Sequence, residues 1–164
     1  MSLVTPAPLY KTSRVVIENA YIDYNGHLNA GYYYVVFDKL LDEVFIPWGL
    51  GPAYLASRNL TTMTLEAHIG YVREVLQSYP MRMTLQVLDV DAKRLHTYCE
   101  LVHETEGWVA ATAEAIHIHV DMATRRSAPW PADIQANLDA ARKAHAGLPR
   151  PERAGRSIGI ARKA

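Results

Sequence analysis

The chain reads as an α+β domain in which a five-stranded antiparallel sheet wraps around one long central helix. Three observations predict this. After Asn29 the apolar residues Tyr33, Val36, Phe37, Leu40, Leu41, Val44 and Phe45 recur at the i, i+3, i+4, i+7 spacing of one helical face. Residues 62–71 alternate apolar and polar side chains with the period of a strand. Three further extended segments follow, joined largely by tight turns, which is how antiparallel neighbours are connected. A helix this apolar on one side needs a sheet to lie on.

Composition narrows the class. At 164 residues the chain is one domain, long enough to bury a proper core. Seventeen acidic and seventeen basic side chains cancel, which argues against nucleic acid or an acidic membrane as the main partner. No apolar run reaches the roughly 18 residues that a membrane span needs. The first residues lack a basic stretch followed by an apolar core, so no signal peptide is expected. The lone Cys99 has no internal disulfide partner and no metal-ligand spacing around it. The expectation is a soluble cytoplasmic protein with no metal and no redox cofactor.

Taken in order, residues 1–11 hold two prolines and form an extended N-terminal arm. Residues 12–21 are rich in β-branched side chains (Val15, Val16, Ile17) and read as a first strand. Asn29 suits the N-cap of the central helix, and Pro47 stops it near Phe45 or Ile46. Gly49 to Pro52 is a turn cluster, and residues 53–58 form a short helical turn. In the strand at 62–71, Met63, Leu65, Ala67, Ile69 and Tyr71 share one face, which puts Glu66 and His68 on the other. Residues 81–90 continue as a strand with Met83, Leu85 and Val87 on one side. A turn at 89–93, a strand at 95–103, a glycine-bearing turn at 104–107 and a long final strand at 108–120 complete the sheet. Pro131 suits the first turn of a last helix at 131–147, with Ile134, Leu138, Ala141 and His145 on one stripe. Residues 148–164 are basic and read as a disordered tail. The main domain spans 12–130.

The segment Asp23-Tyr-Asn-Gly-His-Leu-Asn29, with Tyr33 and Phe37 after it, resembles the opening of the central helix in hotdog-fold acyl-CoA thioesterases of the 4-hydroxybenzoyl-CoA thioesterase type. That resemblance covers roughly residues 12–130. Thr64-Leu-Glu-Ala-His-Ile69, Asp91-Ala-Lys-Arg-Leu-His96, Ala111-Thr-Ala-Glu114 and His119-Val-Asp121 are similar to the thioesterase module fused to, or encoded beside, L-carnitine dehydrogenases, which is associated with cleaving betainyl-CoA. The resemblance implies a hotdog fold and hydrolysis of a short acyl-CoA, betainyl-CoA foremost, with coenzyme A entering only as part of the substrate. It also implies a homodimer or homotetramer, acting beside an L-carnitine dehydrogenase.

Thioester hydrolysis needs a nucleophile or an activated water, and donors for the oxyanion. By resemblance Asp23 attacks the thioester or activates water; the plainer role is a turn cap. His27 polarises the carbonyl or orients Asp23, against a structural hydrogen bond across the turn. The amides around Gly26 and His27 are placed to receive a carbonyl oxygen, helped by the helix dipole. Glu66 joins the catalytic set and His68 the binding set, unless both merely face solvent. Asn29 either caps the helix or binds substrate. Tyr32 and Tyr33, sketched near Trp48, Tyr54 and Tyr71, would read a trimethylammonium group through aromatic faces; the bland alternative is core packing. Arg125 and Arg126 would meet the phosphates of coenzyme A. Two rival readings remain. Asp23-x-Asn25 with His27 partly resembles hotdog enoyl-CoA hydratases, but Gly26 stands where that motif has proline and the histidine comes one position early. A non-catalytic acyl-CoA-binding protein would be expected to lack the carboxylate at the helix start.

Overall fold

The central helix, α1 (Ala30–Phe45), forms where the apolar stripe places it. Asn29 caps it, its side chain accepting from the Gly31 amide at 3.0 Å. A 3-10 turn with Pro47 at its start ends it, and Gly49 closes that turn in the left-handed region. Tyr33, Val36, Phe37, Leu40, Leu41, Val44 and Phe45 are all buried, each contributing on the order of 1.5–3 kcal/mol. The computed structural model describes residues 8–160; the first seven residues of the expected arm and residues 161–164 of the expected tail lie outside them.

The sheet holds β1 (Tyr10–Lys11), β2 (Val15–Val16), β3 (Leu60–Tyr71), β4 (Pro80–Val90), β5 (Arg94–His103), β6 (Val109–Asp121) and β7 (Arg126–Ser127). Its order is β1-β4-β5-β6-β3, with β2 also on β4 and β7 also on β6, and every pairing is antiparallel. A short helix α2 (Pro52–Arg58) leads into β3, and α3 (Ala132–His145) packs beside β4. Ile134, Leu138, Ala141 and His145 are buried along α3. Buried Met81, Met83, Leu85 and Val87 of β4, with Leu95, Cys99 and Leu101 of β5, build the core against α1. This is a sheet curled about one helix, the hotdog arrangement.

Three segments differ from expectation. The first strand, expected over 12–21, is two short pieces and a 3-10 turn (Asn19–Tyr21). Side chains interrupt it: the Met83 amide donates to Thr12 Oγ1, and Ser13 donates from both N and Oγ to the Glu43 carboxylate at 2.7 and 2.6 Å. In β3 a bulge between Thr64 and Glu66 breaks the alternation. Met63 lies opposite Ile118 on the outer face, while Ala67 and Ile69 lie opposite Ala115 and Ala113 on the helix face. Met63 and Leu65 are therefore 41 % and 59 % exposed instead of buried. The segment read as a disordered tail lies, through Gly159, along the outer face, where Gly155 N donates to Glu114 Oε2 at 2.6 Å and Gln86 Nε2 to Pro149 O at 3.3 Å.

Candidate active site

The turn before α1 is a tight hairpin. Ile22 and Leu28 face each other in a bridge, Asp23 N donates to His27 O and Gly26 N donates to Asp23 O, both at 3.0 Å. Gly26 takes φ +83°, a conformation that side-chain-bearing residues rarely adopt. Its amide is spent inside the turn instead of facing a substrate. The His27 amide has no acceptor among the described residues.

Asp23 uses its two oxygens differently. Oδ1 accepts from the Asn25 amide at 2.8 Å, the cap of an Asx turn. Oδ2 lies 3.9 Å from His27 Nδ1, and the carboxylate side chain is only 14 % exposed. His27 Nδ1 also lies 3.2 Å from Leu28 O. A proton on Nδ1 satisfies that carbonyl and leaves Nε2 as the lone-pair nitrogen.

Beside this pair opens a cleft of ≈ 280 Å³ lined by His27, Leu28, Ala30, Tyr33, Tyr71, Val72, Arg73 and Glu74. Its walls are tied across the helix start. Tyr71 Oη donates to Ala30 O at 2.9 Å, Tyr33 Oη donates to Arg73 O at 3.4 Å, and Leu28 N donates to Val75 O at 2.7 Å. The Tyr33 and Tyr71 rings meet edge to face, centroids 5.2 Å apart. Arg73 lays its guanidinium over the Trp108 ring, 4.2 Å from its centroid. Burial above all raises the Tyr33 phenol above its usual pKa, with the charges of Glu74 and Asp23 adding to it.

The structure brings Asp23, Gly26, His27, Asn29 and Tyr33 to one end of α1, with Asn29 serving as the helix cap. It does not bring the other expected residues there. Tyr32 stacks on Tyr21, centroids 4.5 Å apart, on an exposed face of α1. Trp48 is core, packed between Phe45 and Tyr10 at the far end of the helix, about 25 Å away along the axis. Arg125 and Arg126 follow β6, whose end pairs with Leu60, eleven residues of β3 before Tyr71. That is about 35 Å of strand. Glu66 and His68 lie on the outer face of the sheet, where they line a second cleft of ≈ 300 Å³ with His96 and Glu114. There His96 Nε2 meets Glu114 Oε1 at 2.8 Å. Tyr71 and Glu74 also line this cleft; the sequence sets Tyr71 only in the neighbourhood of the other tyrosines and gives no reading for Glu74. Tyr71 ends the alternating strand, whose period said nothing about what lies at its end. Glu74 falls between strands, where no periodicity marks it.

Comparison with known proteins agrees with this fold. Residues 17–138 match the family model described as the thioesterase-like superfamily. The chain is 34 % identical over 140 residues to a betainyl-CoA thioesterase of Pseudomonas aeruginosa, covering 85 % of this chain and 88 % of that one. It is also 34 % identical over 143 residues to an L-carnitine dehydrogenase/betainyl-CoA thioesterase of Rhizobium meliloti, of which the match spans 29 %. Among solved structures, a hypothetical Staphylococcus aureus protein in complex with CoA superposes with TM-score 0.88 at 26 % identity, covering 98 % of this chain and all of the other. A putative thioesterase from Pseudomonas putida superposes with TM-score 0.80 at 30 % identity, covering 94 % and 99 %.

Proposed function

This chain belongs to the thioesterase-like superfamily, and from that premise we propose that it hydrolyses a short acyl-CoA thioester in the cytoplasm, betainyl-CoA foremost. The observation that carries the reading is the half-used carboxylate of Asp23, with one oxygen capping its turn and the other turned toward His27, which lines an aromatic cleft. Two relatives named for betainyl-CoA cleavage support the acyl group. The fusion of one of them to L-carnitine dehydrogenase supports a place beside that enzyme.

Asp23 Oδ2 either adds to the acyl carbon or takes a proton from the water that does. In the first route the C–S bond breaks to leave a mixed anhydride on Asp23, which water then hydrolyses to the free acid and the carboxylate. In the second the water oxygen ends directly in the free acid. In both the thiol leaves with a proton. His27 polarises the carbonyl or holds Asp23 in place. The reaction draws on no metal or redox cofactor, since carboxylate, imidazole and water suffice for acyl transfer.

The quaternary arrangement belongs to the same proposal. β3 is an outer strand of the sheet order, twelve residues long, with exposed Met63 and Leu65 on it. An open edge of this length pairs readily with another chain. Two copies pairing antiparallel about the middle of β3 would set Leu60 of one across from Tyr71 of the other. Arg125 and Arg126 of a second copy would then approach this cleft, where coenzyme A phosphates need cations.

Free-thiol release from betainyl-, acetyl-, butyryl- and benzoyl-CoA tests the activity. The expected result is fastest release from betainyl-CoA. Release from the others alone would remove the betainyl assignment, and no release from any would remove the thioesterase.

A further inference from the structure

Resting on the betainyl-CoA reading, we infer that Glu74 is the counter-charge that selects a cationic acyl group in this cleft. The chemistry of the substrate confines the search. In a betainyl thioester one methylene separates the quaternary nitrogen from the carbonyl carbon, so the two lie about 2.5 Å apart. A trimethylammonium group therefore sits in the same cleft as the reacting carbon. The group also has no N–H to donate. It is recognised through ring faces and fixed negative charge, and hydrogen-bond acceptors confer nothing more.

The lining of the cleft meets both demands. Tyr33 and Tyr71 supply two rings set nearly perpendicular, at 80°. Their hydroxyls are drawn away to the backbone carbonyls of Arg73 and Ala30, which fixes the rings in place. Two charged side chains line the same space. Arg73 stacks on Trp108, 4.2 Å from the ring centroid, which gives its cation an aromatic partner. Glu74 makes no ion pair and no side-chain hydrogen bond among the described residues. Its charge is nevertheless felt at the Tyr33 hydroxyl, where it acts with burial to oppose ionisation. The other carboxylate near the cleft, Asp23, caps its turn with one oxygen and turns the other toward His27. Glu74 is the one negative charge left to read the substrate.

The test uses the full chain and two thioesters that differ in one atom: betainyl-CoA, and 3,3-dimethylbutyryl-CoA, which has carbon where betainyl has nitrogen. The quantity read is the ratio of their kcat/KM values. Wild type favours betainyl-CoA; Glu74→Gln lowers the ratio about tenfold, mainly through KM for betainyl-CoA, and Glu74→Lys lowers it further. A wild-type ratio retained in both variants overturns the inference while leaving the substrate assignment standing. A wild-type enzyme that shows no preference for betainyl-CoA overturns the assignment itself, and this inference with it.

Discussion

Asp23 holds its turn with one oxygen and turns the other toward His27, so its structural role and its proposed catalytic role come apart in a single substitution. Asn at position 23 keeps an oxygen for the Asn25 amide but loses the charge. Asp23→Asn is therefore expected to melt within about 0.5 kcal/mol of wild type while kcat falls by roughly 1000-fold or more. Near-wild-type turnover in that variant would refute the catalytic assignment. His117 makes a different kind of prediction. It lies on β6 under the edge of Phe45, its Nε2 3.0 Å from Thr97 Oγ1, and burial, with a smaller push from His96, lowers its pKa to about 4. Because the unfolded histidine takes up its proton near pH 6.5, the folded state loses stability as pH falls from about 6.5 to about 4, by roughly 3 kcal/mol. Melting curves across that range should show a shallower acid slope in His117→Gln than in wild type. At this scale the sequence was readable where a residue's neighbours are local. Asp23, Asn25 and His27 share one turn, and spacing alone puts them together. Trp48, Arg125 and Arg126 have side chains of the right chemistry, but only the fold defines how far they stand from that turn.

Elements follow the same division. The stripe from Tyr33 to Phe45, the Asn29 cap and the Pro47 stop were legible because helical period and capping are properties of a few consecutive residues. Asn29→Ala leaves the Gly31 amide unpaired and should cost about 1 kcal/mol in chemical denaturation; a loss near zero would mean that water caps the helix equally well. The strand at residues 12–21 was not legible in its true form. Its β-branched composition is real, but Glu43 of α1 captures Ser13, and no local pattern announces a partner thirty residues away. The bulge in β3 was hidden for a related reason. Period two looks unbroken through Leu65, yet pairing with β6 admits one residue too many there, and Met63 is turned outward with Glu66 and His68.

For the whole molecule the open question is how many chains make one site. Leu65 is well exposed on the free edge of β3, so Leu65→Asp should leave the stability of a single chain within about 0.5 kcal/mol. In the dimer proposed above it places two carboxylates near the two-fold axis. Light scattering after size exclusion should then report a dimer for wild type and a monomer for the variant, with thioesterase activity lost in parallel. A variant that stays dimeric and active would move the interface elsewhere. Neither the edge nor its use was visible in the alternation of residues 62–71, because period two reports which face is apolar and not which strand lies outermost.

The stacking of Arg73 on Trp108 has an optical consequence. Of the three tryptophans, Trp48 and Trp130 are buried away from the cleft, whereas Trp108 shares its ring with a residue of the cleft wall. An acyl group that shifts Arg73 on entry alters the electric field across that indole, and with it the emission wavelength. The protein thus carries its own fluorophore beside the wall of the proposed substrate cleft. Stopped-flow emission with no attached dye would then time substrate entry separately from release of the thiol.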